Sequence, residues 1–454
     1  MRLHVLGVSG TFMSALAFLA KDAGFEVTGS DANCYPPISD LLTEKGIQWT
    51  EGYDDCTDML QADMVIVGNA MKRGIPVIER LLDAGIPYSS GPEWLAQHIL
   101  SRYRVIAVAG THGKTTTTSM VAHILSEAGL EPGFLIGGVA VNFNSSSRLG
   151  RGEWFVIEAD EYDTAFFDKR PKFMHYRPEV AILNNLEFDH ADIYANLEDI
   201  KKQFHYLLRT VPPKGVVIYP KADQALNEVM AQGVYSSSET LSVNDSATWR
   251  AELVDPSGCS FHVWHEDEIV ATVNWSLIGQ FNVENGLAAI AASVRAGVQP
   301  SVAAKALERF LPVKRRLEVK SDRHGVYIYD DFAHHPTAIA KTIQALKNSD
   351  RHQRVLVVLE FASHTMRLGV HQTALMHAFD QVDAAYFLQP EQFSLTSLSS
   401  HWHFPHHILA TTADIVAAVS QEVRPGDAVL VMSNRGFDNI HQRLTQRIDD
   451  KFAL

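Results

Sequence analysis

The sequence predicts an α/β protein made of three units in series. Its 454 residues correspond to roughly three domains at about 150 residues each. Short apolar strands alternate with amphipathic helices along the chain, which requires crossover connections and mainly parallel sheets. No internal repeat at a solenoid period is present.

The first unit is assigned to residues 1–103. Residues 2–6 read as a buried strand, 13–23 as the following helix, and 26–31 as a second strand ending in Asp31. A strand at 64–68 and a helix at 76–84 continue the alternation. The second unit, 104–312, opens on the apolar strand 104–109, which runs into a glycine-rich turn and a helix at 116–128. Strands follow at 154–158, 180–183 and 215–219, then a polar, β-like segment over 236–275, a meander or an insertion, and an alanine-rich helix at 287–296. The third unit, 313–454, carries strands at 326–330, 354–359, 384–388 and 428–432, with helices between them.

Composition supports several cores, with 46% hydrophobic and 20% charged residues. A formal net charge of −14 argues against a general nucleic-acid binder, which would show a basic footprint. It leaves small anionic ligands open, because backbone amides and a few cations suffice to hold phosphates. Cys34, Cys56 and Cys259 lie far apart and form no metal-ligand or redox spacing, as in a reducing compartment. The first residues lack the apolar stretch and cleavage site of a signal peptide, and no run of about 18 apolar residues occurs. A cytoplasmic protein without a membrane span is expected.

The most informative segment is Gly110-Thr111-His112-Gly113-Lys114-Thr115-Thr116, between a buried strand and a helix. Glycines let backbone N–H groups approach phosphate oxygens, and a helix N-terminus adds positive partial charge. Lys114 would reach the outer phosphates of ATP, and the Thr115 hydroxyl would be a Mg²⁺ ligand. One departure from the G-x-x-x-x-G-K-S/T pattern is Val108, which stands at the first glycine. The next strand ends in Glu158-Ala159-Asp160-Glu161-Tyr162-Asp163, four carboxylates where open α/β sheets bind ligands. Mg²⁺ takes such hard oxygen donors together with phosphates. The strand after that ends in Asn184-Asn185-Leu186-Glu187-Phe188-Asp189-His190-Ala191-Asp192. From the residues alone, His190 has three readings: ligand of a second Mg²⁺, proton acceptor, or hydrogen-bonded loop histidine.

With these stretches in view, the chain resembles the Mur ligases, which build the peptide of bacterial cell-wall precursors. Further support comes from Gly10-Thr11-Phe12-Met13, Gly29-Ser30-Asp31-Ala32-Asn33, Gly68-Asn69-Ala70-Met71 and Tyr329-Asp330-Asp331-Phe332-Ala333-His334-His335-Pro336. The resemblance spans essentially the whole chain. It implies an N-terminal Rossmann-like domain for a UDP-sugar, a central P-loop ATPase domain, and a C-terminal Rossmann-like domain closing over the nucleotide. It implies ATP contacts from Lys114, one Mg²⁺ held by Thr115 and Glu158, and a second held by His190. Asn282 and Asn285 match asparagines near adenine, and Arg316 and Asp331 match nucleotide-contacting residues of the C-terminal domain. His334 and His335 would face the γ-phosphate and incoming peptide.

Three positions depart from the family pattern. Phe281 replaces a usual histidine near adenine. Lys201-Lys202 occupies the region where several members carry a carbamylated lysine, and carbamylation is not expected here. Phe361-Ala362 replaces a Pro-Arg pair in the peptide-reading loop, so Arg367 or Arg435 would supply the cation.

The turn Gly7-Val8-Ser9-Gly10-Thr11-Phe12-Met13 has the outline of a dinucleotide fingerprint, but Met13 replaces its third glycine. Beside a separate ATP site, a UDP-sugar is the better ligand, held by Gly7, Ser9, Gly10, Thr11, Phe12, Asp31 and Asn69. The resemblance therefore implies ATP-dependent joining of L-alanyl-γ-D-glutamyl-meso-diaminopimelate to UDP-N-acetylmuramate. The competing readings are an L-alanine-adding ligase, a P-loop small-molecule kinase, a non-catalytic nucleotide sensor and a nicotinamide-dependent oxidoreductase. Oligomeric state is not legible.

Overall fold

A computed structural model describes residues 1–35, 38–362, 366, 371–390 and 395–453. Strands β1 (Arg2–Leu6), β2 (Glu26–Asp31), β3 (Gln48–Glu51), β4 (Met64–Val67) and β5 (Tyr88–Ser90) form a parallel sheet in the order β3-β2-β1-β4-β5. The order reverses between β1 and β4, and the glycine turn after β1 opens at that reversal. Ligands bind in such crevices in open α/β sheets.

The central sheet contains β6 (Arg104–Ala109), β7 (Gly133–Ala140), β8 (Ser145–Arg148) and β9 (Trp154–Glu158). A separate antiparallel hairpin, β10 (Asp163–Ala165) and β11 (Asp168–Pro171), precedes β12 (Val180–Leu183) and β13 (Val216–Pro220). The segment 236–275 holds β14 (Ser237–Val243), β15 (Trp249–Leu253), β16 (Ser260–His265) and β17 (Glu268–Asn274); β15 to β17 form an antiparallel meander, whereas β14 pairs in parallel with both β13 and β15. The order is β17-β16-β15-β14-β13-β12-β6-β9-β7-β8. In it β6 pairs in parallel with both β12 and β9, so three adjacent strands deliver their C-terminal ends to one edge. The fully buried stretches 105–109, 154–157 and 180–183 explain why these strands read as continuous apolar runs.

The third sheet has the order β18-β19-β23-β20-β21-β22, built from β18 (Glu318–Ser321), β19 (Tyr327–Asp331), β20 (Arg354–Glu360), β21 (Ala384–Leu388), β22 (His406–Leu409) and β23 (Asp427–Met432). All neighbours are parallel except the edge strand β18. The first parallel strand of this sheet, β19, ends in Asp330 and Asp331.

Helix α1 (Thr11–Asp22) joins the first two units. Its residues Met13, Ser14, Ala15, Leu16, Ala17, Phe18, Leu19 and Ala20 are all buried, as expected of a helix covered on every side. One side lies on its own sheet; the other meets β7 and β8, where Ser147 Oγ donates to Ala15 O at 3.0 Å. Helix α2 (Lys114–Glu127) follows the phosphate loop. Helix α3 (Gln280–Arg295) begins two turns before the expected 287, because the polar start 280–285 hides its helical character. The short strands β3 and β5 also escaped the sequence reading, since neither carries an apolar run.

A buried histidine makes the first unit sensitive to acid. His4 on β1 is 2% exposed and bonds Thr28 Oγ1 at 2.9 Å and Ser30 Oγ at 3.1 Å. Burial, only partly opposed by Asp58, lowers its pKa to about 4. The stability that neutral His4 supports is complete above pH 6.5 and declines as pH falls toward 4, where only the unfolded chain is protonated. The loss amounts to about 3 kcal/mol on that scale. Thermal melts of wild type and His4→Gln should therefore diverge between those two pH values, with the variant losing less; parallel curves would refute the assignment.

Candidate active site

All three units line one cleft of about 1000 Å³. Its floor is the turn from β6 into α2. Gly110 and Gly113 hold φ of +134° and +80°, a region that L side chains rarely adopt. At Gly113 a Cβ would also stand 2.5 Å from Asn285 Oδ1 and 2.8 Å from Asn184 Nδ2. The loop is fixed from β12: His112 N donates to Asn185 Oδ1 at 2.8 Å, and Glu187 N donates to Thr111 Oγ1 at 2.9 Å.

Lys114 Nζ donates to Gly110 O at 2.6 Å and to Glu161 Oε2 at 2.9 Å, with Asp160 Oδ1 at 3.9 Å. Burial opposes the Lys114 charge, but Glu161 and Asp160 outweigh it and push the pKa up to about 12. Glu161, 2% exposed, also meets His190 Nε2 at 3.0 Å. Burial works against its ionisation, and Lys114 followed by His190 hold it at about 2. Glu161 is thus the hub that gathers the phosphate-loop lysine and the histidine after β12. Sequence reading quoted this residue without a role, because its partners lie 47 and 29 residues away.

Glu158, at the end of β9, accepts from Thr115 Oγ1 at 2.8 Å and from Gly137 N at 2.6 Å. Burial, reinforced by Asp160, raises its pKa. A carboxylate so placed, beside a hydroxyl and another carboxylate, offers the hard oxygen donors and surplus negative charge that suit Mg²⁺. His190 adopts φ of +58°, and its ring lies 4.1 Å from that of Tyr162.

The third unit closes the far wall. His335, 6% exposed at the start of α4 (Pro336–Lys347), places Nδ1 3.2 Å from Glu187 Oε2. His112 Nε2 lies 3.2 Å from the same oxygen, and the two rings are 4.7 Å apart. The phosphate loop therefore touches the C-terminal unit through one glutamate. Arg316, Asp331, His334, Asn282 and Asn285 all line the cleft. Asp331 accepts from Leu317 N and Ala333 N, both at 2.7 Å, while Asn285 Oδ1 accepts from Thr117 Oγ1 at 3.1 Å.

The N-terminal candidates divide. Gly10, Thr11, Phe12 and Asn69 line the cleft. Gly7, Ser9 and Asp31 are outside its lining: Gly7 N donates to Ser30 O at 2.8 Å, and Ser9 N donates to Asp31 Oδ2 at 2.9 Å, so these shape the turn. Arg435 is exposed and also outside the lining, where its carbonyl accepts from Arg315 at 2.6 Å. Arg367 lies outside the described residues. Lys201 pairs with Glu198 and Glu228 and is likewise outside the lining. Lys172, which sequence reading passed over, enters the cleft from the turn after β11.

No helix among the described residues is long and apolar enough to cross a membrane. Residues 2–103, 108–293 and 315–435 match the Mur ligase family catalytic domain, the Mur ligase middle domain and the Mur ligase glutamate ligase domain. The UDP-N-acetylmuramate–L-alanyl-gamma-D-glutamyl-meso-2,6-diaminoheptandioate ligase of Escherichia coli (strain K12) is 47% identical over 99% of this chain and 99% of its own. The ligase of the same name from Haemophilus influenzae is 46% identical over 98% of this chain and 99% of its own. The crystal structure of a murein peptide ligase from Psychrobacter arcticus 273-4 gives a TM-score of 0.75 at 43% identity, covering 99% of this chain and 98% of that one. With family matches on all three units and relatives alike from end to end, the chain belongs to the Mur ligase family and is an ATP-dependent ligase.

Proposed function

We propose that the chain joins the tripeptide L-alanyl-γ-D-glutamyl-meso-diaminopimelate to the lactyl carboxylate of UDP-N-acetylmuramate, converting ATP to ADP and phosphate, in cell-wall peptide recycling in the cytoplasm. The observation that carries this reading is a single cleft with a phosphate loop on its floor and one wall from each of three units. Near-half identity to ligases named for this tripeptide, over almost the full length, supports this choice of amine. The units divide at 103/104 and 312/313.

The chemistry needs two steps. A carboxylate oxygen attacks the γ-phosphorus and the bond to ADP breaks, giving an acyl phosphate. The peptide amine then attacks the acyl carbon, the tetrahedral intermediate collapses, phosphate leaves with its bonding electrons, and the amine loses a proton. A carboxylate cannot expel oxide, whereas an acyl phosphate expels phosphate. Gly110 to Thr116 hold the ATP phosphates, and Lys114 moves from Glu161 to offset their charge. Arg316, Asp331, Asn282 and Asn285 hold the rest of the nucleotide, and Gly10, Thr11, Phe12 and Asn69 hold the UDP-sugar. Thr115 and Glu158 suit one Mg²⁺ and His190 a second; bound there, the ions neutralise charge on the transferred phosphoryl group. Positioning across the domains supplies the rest, with His334 and His335 toward the peptide.

The test is a product assay by mass spectrometry, with UDP-N-acetylmuramate, ATP and either tripeptide or L-alanine. The tripeptide adduct should dominate. Preferred use of L-alanine would assign the biosynthetic step instead, and a stable phosphorylated product without an amide would make the protein a kinase.

A further inference from the structure

Lys172 belongs to none of the roles above, yet it is a buried cation facing the cleft. Its side chain is 9% exposed. Nζ lies 3.2 Å from Asp160 Oδ2, 5.0 Å from the centre of the Phe12 ring and 6.0 Å from that of Tyr162. Taking an ammonium out of water is costly unless charge or aromatic faces compensate it. The carboxylate that does so is shared, because Asp160 Oδ1 also lies 3.9 Å from Lys114 Nζ. Asp160 is 31% exposed on its side chain and can turn away when another anion arrives.

The backbone presents Lys172 from a stiff platform. Its N–H donates to Tyr162 O at 3.0 Å, directly below the acid cluster. The preceding hairpin is tied by Thr164 Oγ1 donating to Arg170 O at 2.7 Å, and by Asp168, which binds both Arg170 at 2.7 Å and His175 at 3.0 Å. The same hairpin docks on the N-terminal unit, where the Phe167 and Tyr88 rings stand 5.0 Å apart and Phe166 packs against the core around Val65 and Ile78. Lys172 is therefore held between the turn at Phe12 and the acid that borders the phosphate-loop lysine.

Among the described residues that line the cleft, the lysines and arginines are Lys114 and Lys172 from the central unit, and Lys314, Arg315, Arg316 and Lys341 from beyond residue 312. Lys114 is committed to phosphate. Of this set, Lys172 is the cation that adjoins the N-terminal glycine turn. A carboxylate led along the cleft from that turn toward the γ-phosphate passes Lys172 on its way, and it must approach a triphosphate of its own sign. We propose that Lys172 is the carboxylate-binding residue for the sugar-acid substrate: it displaces Asp160, pairs with the lactyl carboxylate and holds it against the repulsion of the phosphates. This rests on the UDP-N-acetylmuramate reading above.

The experiment is calorimetric titration of wild type and variants with UDP-N-acetylmuramate and with UDP-N-acetylglucosamine, which has the same diphosphate but no lactyl carboxylate. Lys172→Met leaves Asp160 facing a neutral side chain, so the Lys172→Met/Asp160→Asn pair, which leaves no stranded charge, is measured with it. Both should bind UDP-N-acetylmuramate about 10- to 100-fold more weakly, the span of a charge-assisted hydrogen bond, with UDP-N-acetylglucosamine unchanged. Lys172→Arg should retain most of the affinity. Equal weakening for the two nucleotides in the paired variant would overturn the proposal by assigning Lys172 to the diphosphate. Unchanged affinity for both would overturn it by leaving Lys172 a packing role. Absence of UDP-N-acetylmuramate binding by wild type would instead remove the reading on which the proposal stands.

Discussion

Lys114→Ala is expected to lower kcat for ligation by at least ~10³-fold, the scale of losing a preorganised charge at a developing anion. Binding of the UDP-sugar should persist, because Lys114 stands on the phosphate-loop floor and the glycine turn is elsewhere. The structure adds a second effect. Glu161 is 3% exposed on its side chain and Lys114 is its nearest cation at 2.9 Å, so truncation leaves a buried carboxylate with only His190 opposite it. Removing one partner of a buried pair costs about 3 kcal/mol. A melt should show that loss, and Lys114→Ala/Glu161→Gln should recover stability while activity stays absent. Turnover near wild type in the single variant would remove Lys114 from the mechanism; failure of the double variant to recover stability would remove the pair.

Glu158→Gln should separate stability from activity in the opposite direction. Burial and Asp160 make the Glu158 charge unfavourable and raise its pKa, against the opposing pull of Lys114. An amide can still accept from Gly137 N and can donate to Thr115, so the fold keeps both contacts. The melting temperature should hold or rise, as is common when strain at a functional site is relieved. Ligation should fall by about 10²-fold or more, since a neutral amide is a poor partner for a divalent cation. Steady-state assays across Mg²⁺ concentration would show it as a loss that added metal does not restore; full recovery at high Mg²⁺ would mean that Glu158 sets metal affinity alone.

Whatever is local in the chain was legible. Strand 104–109, the phosphate loop and the strand ends at Glu158 and Leu183 could be placed because the buried parallel strands leave continuous apolar runs punctuated by polar ends. That these ends converge came from the family resemblance alone; that β6 lies between β9 and β12 is set by the fold. Partnerships across domains were not legible. Glu161 reads like any acid in a run of four, and only the fold sets it between Lys114 and His190. Lys172 sits in the unremarked stretch Asp168-Lys169-Arg170-Pro171-Lys172, beside Lys169 and Arg170, which are exposed. Nothing in spacing distinguishes the buried cation from its neighbours. Asp31 has a local role that its place at a strand end did not announce: its carboxylate accepts from Ser9 N and so shapes the glycine turn.

The contact of His112 and His335 through Glu187 bears on the rhythm of catalysis. Glu187 is a latch between the phosphate loop and the third unit, holding His112 on one side and His335 on the other. Separation of the units for nucleotide exchange would have to break this latch, so a substitution at Glu187 is expected to change the rate of product release as well as that of bond formation.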